Sequence, residues 1–121
     1  LKVWGDGSPI RDFVHASDVA KAMIFVMENR INKPVNVSSG NPTSIRELVE
    51  LISKYFNNAK FEFTDNGISG DNKRLMDVSR LKGYGWKPET DLSSGLKDTI
   101  DWFNKDGYLG YERYNSFKEE N

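Results

Sequence analysis

The chain has 121 residues, with 17 basic against 18 acidic side chains, a net charge of −1, 37% hydrophobic residues and no cysteine. That is one domain's worth of chain, too aromatic for a disordered segment, with three Trp, five Tyr and seven Phe. The charge balance argues against wholesale neutralisation of a nucleic-acid backbone, and no apolar run approaches the roughly 20 residues of a membrane span. One histidine and no cysteine exclude disulfides and leave no zinc-ligand set. The lack of cysteine fits a reducing, cytoplasmic compartment. The first residues do not have the pattern of a signal peptide, and a start at Leu1 rather than Met suggests a piece of something longer.

In chain order, Leu1–Trp4 is a short apolar stretch cut by Gly5-Asp6-Gly7-Ser8-Pro9, a dense turn signal. Ile10–His15 is β-branched and aromatic, as expected of a short strand. Ser17 is placed to cap a helix from Asp18, with Val19, Ala20, Met23, Ile24, Val26 and Met27 as its core face. Asn29 to Lys33 closes that helix, and Pro34–Val37 reads as a second extended piece before the loop Ser38–Pro42.

The clearest element follows. Ser44 and Glu47 have capping-box spacing, and Ile45, Leu48, Val49, Leu51, Ile52, Tyr55 and Phe56 recur at helical spacing up to Asn57-Asn58. Phe61–Thr64 alternates like a strand, and Asp65–Asn72 is a polar, glycine-bearing loop. Leu75-Met76 is expected to form a brief strand, and Asp77 to cap a short helix over Val78–Lys82. After the turn Gly83–Pro88, Asp91 is placed to cap a last helix with Leu92, Leu96, Ile100 and Phe103 inward. Residues 1–106 form one lobe, and residues 107–121 a polar, aromatic tail. Strands and helices alternate, so the class is α/β: a small lobe of few short strands and three main helices, expected to lean on a second domain.

Several residue types suggest chemistry. Arg11 offers a charged planar fork of donors suited to phosphate oxygens, beside a turn; the alternative is an ion pair with Asp12 or Asp18. Trp4 precedes the same turn, as a ligand-lining ring or a hydrophobic anchor. Lys73 and Arg74 form a basic pair after Gly70-Asp71, either ligand-facing or simply solvated. His15 ends an extended segment before a helix and is read as structural, as are Trp86 and Trp102, Met23 and Met27. Asp18 is read as a first-turn helix charge.

Four segments in order, Val3–Met23, Val35–Ile52, Gly70–Pro88 and Leu92–Phe103, resemble the C-terminal substrate-binding part of extended short-chain dehydrogenases/reductases that act on nucleotide sugars, the NAD-dependent epimerase/dehydratase family. Within it the likeness is to enzymes of the GDP-L-fucose synthase kind. Arg11-Asp12-Phe13-Val14-His15 with Ser17-Asp18-Val19-Ala20 carries most of it, with Trp86, Gly95 and Trp102-Phe103 next. The resemblance implies a nucleotide-diphosphate-sugar ligand. It places Arg11 on the diphosphate, Trp4 in the substrate site, Lys73 or Arg74 on the nucleotide or its phosphates, and Asp71 or Ser69 on sugar or ribose.

The resemblance also implies a Rossmann domain outside this chain that holds NADP or NAD and the catalytic set. No cofactor-binding or catalytic residue is assigned here. Gly5-Asp6-Gly7 reads as a turn, and the Tyr114…Lys118 spacing as coincidence in the tail. A UDP-, dTDP- or CDP-sugar epimerase or dehydratase, or a non-enzymatic binding module, stays open beside the GDP-sugar reading. An apolar face left by the missing domain is expected to promote self-association.

Overall fold

Turn chemistry at Gly5–Pro9 separates the first two strands. In the computed structural model, which describes residues 1–64 and 71–107, β1 spans Lys2–Trp4 and β2 spans Ile10–Asp12. Gly7 makes the turn possible. Its φ is +81°, and a Cβ there would lie 2.6 Å from the Phe63 ring. The Arg46 backbone N–H donates to the Gly7 carbonyl, and its guanidinium donates to the Asp6 carbonyl while lying 4.3 Å over Phe63. The turn is thus held between a helix N-terminus and an aromatic ring.

Helix α1 covers Ala16–Glu28. Its N-cap is His15, and no side chain caps it. Ser17, expected as the cap, lies inside the first turn, where its hydroxyl engages His15 Nδ1 at 2.7 Å. The physical reason is that the His15 carbonyl already takes the Asp18 and Val19 N–H groups, so the helix starts earlier. The short strand β3 (Pro42–Ser44) leads directly into α2 (Ile45–Tyr55). There the capping box forms as expected: the Glu47 N–H donates to Ser44 Oγ, and the Ser44 N–H to Glu47 Oε2. That acceptance from Ser44 holds the Glu47 carboxyl below its ordinary value. Asn57 and Asn58, both with φ 55°, turn the chain out of α2.

Strand β4 (Glu62–Thr64) pairs in parallel with β1. Strand β5 (Lys73–Arg74) pairs in parallel with β2, which also pairs antiparallel with β3, so the second sheet has the order β3-β2-β5. Pro42 is tolerated because it opens an edge strand. A short helix α3 (Ser79–Gly83) follows, then α4 (Leu92–Trp102), and a π turn over Phe103–Gly107. Asp91 caps α4 by accepting from the Ser94 N–H. Asp77 accepts from the Ser79 N–H just ahead of α3, whose N-cap is Val78.

The core is small. Ala22, Leu81 and Trp86 are its buried centre, with Phe25, Val26, Val35 and Val37 packed on it. Asp18 is fully buried beside it, and its Oδ2 accepts from the Thr90 N–H at 2.9 Å. This links α1 to the segment that enters α4. Tyr55 closes a second link, donating its hydroxyl to the Ser93 carbonyl.

Several expectations are corrected. Met23 and Met27 are not core: they are 63% and 76% exposed, because α1 turns Asp18, Ala22, Phe25 and Val26 inward instead. Ala20 and Ile24 are exposed with them. Trp102 and Phe103 are also exposed. The brief strand lies at Lys73–Arg74 rather than Leu75–Met76, because register with Ile10 and Arg11 sets it. Pro34–Val37 joins no strand ladder among the described residues. It is held by side chains, with Arg80 donating to the Pro34 carbonyl and Asn36 to the Asp77 carbonyl. The expected tail lies outside the described residues beyond Gly107, as do Ser69, Tyr114 and Lys118.

Candidate functional site

Arg11 stands in the middle strand of the three-stranded sheet. Its ladder partners are Thr43 on β3 and Arg74 on β5. Directly paired residues project on one face, so Thr43, Arg11 and Arg74 form a row. Ile10 pairs with Lys73 and Ser44, so the alternation of strand side chains puts Lys73 on the other face. The structure therefore joins Arg11 to Arg74 and separates Lys73 from both.

Neither proposed ion-pair partner takes Arg11. Asp12, one residue on and on the opposite face, accepts from the Ser39 N–H at 3.1 Å, the Ser39 hydroxyl at 2.5 Å and the Gly40 N–H at 3.1 Å. Asp18 is committed to Thr90. Arg11 is half-buried, donates Nη1 to the Ile10 carbonyl at 2.8 Å, and forms no salt bridge among the described residues.

Arg74 is differently placed. Its Nη2 donates to Asp71 Oδ2 at 2.7 Å, and both side chains are exposed. The Arg74 guanidinium bonded to Asp71 holds that carboxyl below the ordinary carboxylate value, and the charge of Arg11 adds a smaller pull. Asp71 thus lies within the field of both guanidinium groups. The row carries two positive charges and one negative, an arrangement suited to an anion with several oxygens.

Trp4 ends β1, opposite Thr64 of β4, and is 81% exposed. It flanks the Gly5–Pro9 turn on one side as Arg11 does on the other. The turn enters strand β2 and opens no helix, and Gly7 is buried against Phe63. It therefore does not fit a dinucleotide's pyrophosphate, which needs a helix N-terminus behind the glycines.

His15 packs on α4: a Cβ on Gly95 would come 3.2 Å from His15 Cδ2. Both line a cavity of about 240 Å³ with Phe13, Leu48, Ile52 and Leu96. Its lining is mostly apolar and includes none of Trp4, Arg11, Asp71, Lys73 or Arg74, so it is a gap in the packing between α2 and α4 rather than part of the charged row. Thr43 and the Asp12 clamp were missed by sequence reasoning. Pro42 disguised β3, although Thr43-Ser44 immediately before a capping box was a usable signal.

The family model described as the NAD dependent epimerase/dehydratase family matches residues 1–38, from β1 through α1. GDP-L-fucose synthase 1 of Arabidopsis thaliana is 38% identical over 105 residues, covering 85% of this chain and 32% of that protein. GDP-L-fucose synthase of Escherichia coli (strain K12) is 36% identical over 121 residues, covering 89% of this chain and 38% of that protein. Among solved structures, dTDP-glucose 4,6-dehydratase from Bacillus anthracis in complex with NAD matches with a TM-score of 0.77 at 26% identity, over 90% of this chain and 36% of that one. The chain spans about a third of the length of the curated relatives it matches.

Proposed function

We propose, from the match to the NAD-dependent epimerase/dehydratase family model and the likeness to GDP-L-fucose synthases, that the chain belongs to that family and is the nucleotide-sugar-binding portion of an NAD(P)-dependent epimerase/reductase. In this reading the ligand is a nucleotide-diphosphate sugar. The Arg11–Arg74 row takes the diphosphate, Trp4 lines the sugar or base, and Asp71 lies at the edge of the site. Lys73, on the opposite face, is left as a solvated charge. One observation carries the reading: two guanidinium groups stand in register on one sheet face, and the half-buried one forms no salt bridge among the described residues.

The proposal assigns these residues binding and gives the redox step to none of them. NADP or NAD would supply hydride transfer from a separate dinucleotide-binding domain. The exposed stripe Ala16, Ala20, Met23, Ile24 and Met27 on α1 is the surface we assign to contact with that domain. A cytoplasmic setting is part of the same reading.

A second reading, binding of a dTDP- or UDP-sugar, is favoured by the likeness to the Bacillus anthracis dTDP-glucose 4,6-dehydratase and to the UDP-glucose 4-epimerase of Thermotoga maritima. Calorimetric titration with GDP, UDP and dTDP separates the two by base preference. Arg11→Ala should weaken nucleoside diphosphate binding by roughly 1.5–3 kcal/mol, the scale of a charge-assisted hydrogen bond. Arg11→Lys should recover part of that, since an ammonium keeps the charge and loses the fork. Unchanged affinity in Arg11→Ala would refute the site.

A further inference from the structure

The ion pair at the edge of the row has a consequence for ligand entry. Arg74 does not wait free. Its Nη2 is bonded to Asp71 Oδ2 at 2.7 Å, an i,i+3 pair that joins the end of β5 to the residues just before it. Both side chains are largely exposed, at 75% and 63%, so solvent and solutes reach the pair. Arg11 is the register partner of Arg74 on the adjacent strand, whose backbone lies about 4.8 Å away by the spacing of a sheet. Asp71 is drawn down by Arg74 first and by Arg11 as well. The carboxylate therefore occupies an Arg74 donor, and offsets positive charge, that an anion on the row would need.

We propose that Asp71 is an internal counter-ion of the Arg11–Arg74 row, an autoinhibitory contact that a nucleoside diphosphate displaces from Arg74 on binding. The inference rests on the binding reading above. A carboxylate and a phosphate compete for the same donors, and the covalently tethered carboxylate is present at a fixed local concentration. It lowers the affinity of every anion that uses Arg74. Because the pair is exposed, breaking it costs little, and the expected penalty is a factor of a few rather than of hundreds. The contact suits a site that must bind and release a multiply charged ligand quickly.

The test is calorimetric titration with GDP of the wild-type chain and of Asp71→Asn, Asp101→Asn and Arg11→Ala. Asp71→Asn keeps the shape of the side chain and removes the competing charge. It should tighten GDP binding about two- to fivefold, with no change in the thermal midpoint. Asp101→Asn breaks a comparable exposed pair with Lys97 on α4 and should leave affinity unchanged. Equal tightening in both variants would reduce the effect to net charge and overturn the inference. Unchanged or weaker GDP binding in Asp71→Asn would overturn it too, while a loss in Arg11→Ala would still uphold the site. No effect of Arg11→Ala, or no saturable GDP binding by the wild-type chain, would overturn the site reading and the inference with it.

Discussion

Asp18 offers the sharpest test of how the lobe is held together. Its side chain is fully buried at the first turn of α1, and Oδ2 accepts from the Thr90 N–H at 2.9 Å. Oδ1 makes no formed hydrogen bond among the described residues. Burial pushes this carboxyl up, but the Thr90 and Glu89 backbone N–H groups and the Lys21 charge outweigh it, so the carboxyl lies below its ordinary value. Asp18→Ala removes a hydrogen bond to a charged acceptor, about 1.5–3 kcal/mol, and strands the Thr90 N–H, about 1–3 kcal/mol. Relief of a desolvated charge with one idle oxygen offsets part of this, leaving a net loss of about 2–3 kcal/mol. For 121 residues that is roughly 6–15 °C in midpoint. Asp18→Asn keeps an acceptor for Thr90 and should lose only about 1 kcal/mol. Urea unfolding followed by the fluorescence of Trp86, buried in the core, measures both. The pH dependence follows from the lowered carboxyl. Its contribution is fully present above the unfolded value, near 3.9, and is lost as pH falls through the folded value. Asp18→Asn should therefore flatten the acid limb of stability. A loss below about 0.5 kcal/mol in Asp18→Ala would refute the view that this carboxylate ties α1 to α4.

Two further outcomes probe the turn and the stripe. Gly7→Ala meets the Phe63 ring at 2.6 Å at a positive φ and should cost about 2–3 kcal/mol, read from the same urea curves, with weakened nucleoside diphosphate binding because Trp4 and Arg11 flank that turn. Met27→Lys, at a side chain 76% exposed, should leave the midpoint within about 0.5 kcal/mol while reducing hydrophobic-dye binding and any self-association seen by light scattering; an unfolded variant would place Met27 in a core instead.

What the sequence determined by itself was local. The capping box at Ser44 and Glu47, the Asp91 cap, the Gly5–Pro9 turn and the exit at Asn57-Asn58 depend on bonds between residues a few positions apart, so their chemistry is written in the string. Arg11 was nominated on equally local grounds, a permanent fork beside a turn, while its strand partners Thr43 and Arg74 came only from the sheet. Tertiary structure decided which face each element turns inward. Helix α1 is apolar around most of its girth, and periodicity cannot choose between the Met23–Met27 stripe and the Ala22–Phe25 face; packing on Leu81 and Trp86 chooses the second. The strand at Lys73–Arg74 exists because β2 offers it a ladder, and two residues have no periodicity to read. The same pairing splits Lys73 from Arg74 and sets Arg74 beside Arg11, since adjacent residues of a strand face opposite ways and only a neighbouring strand determines which charge joins which.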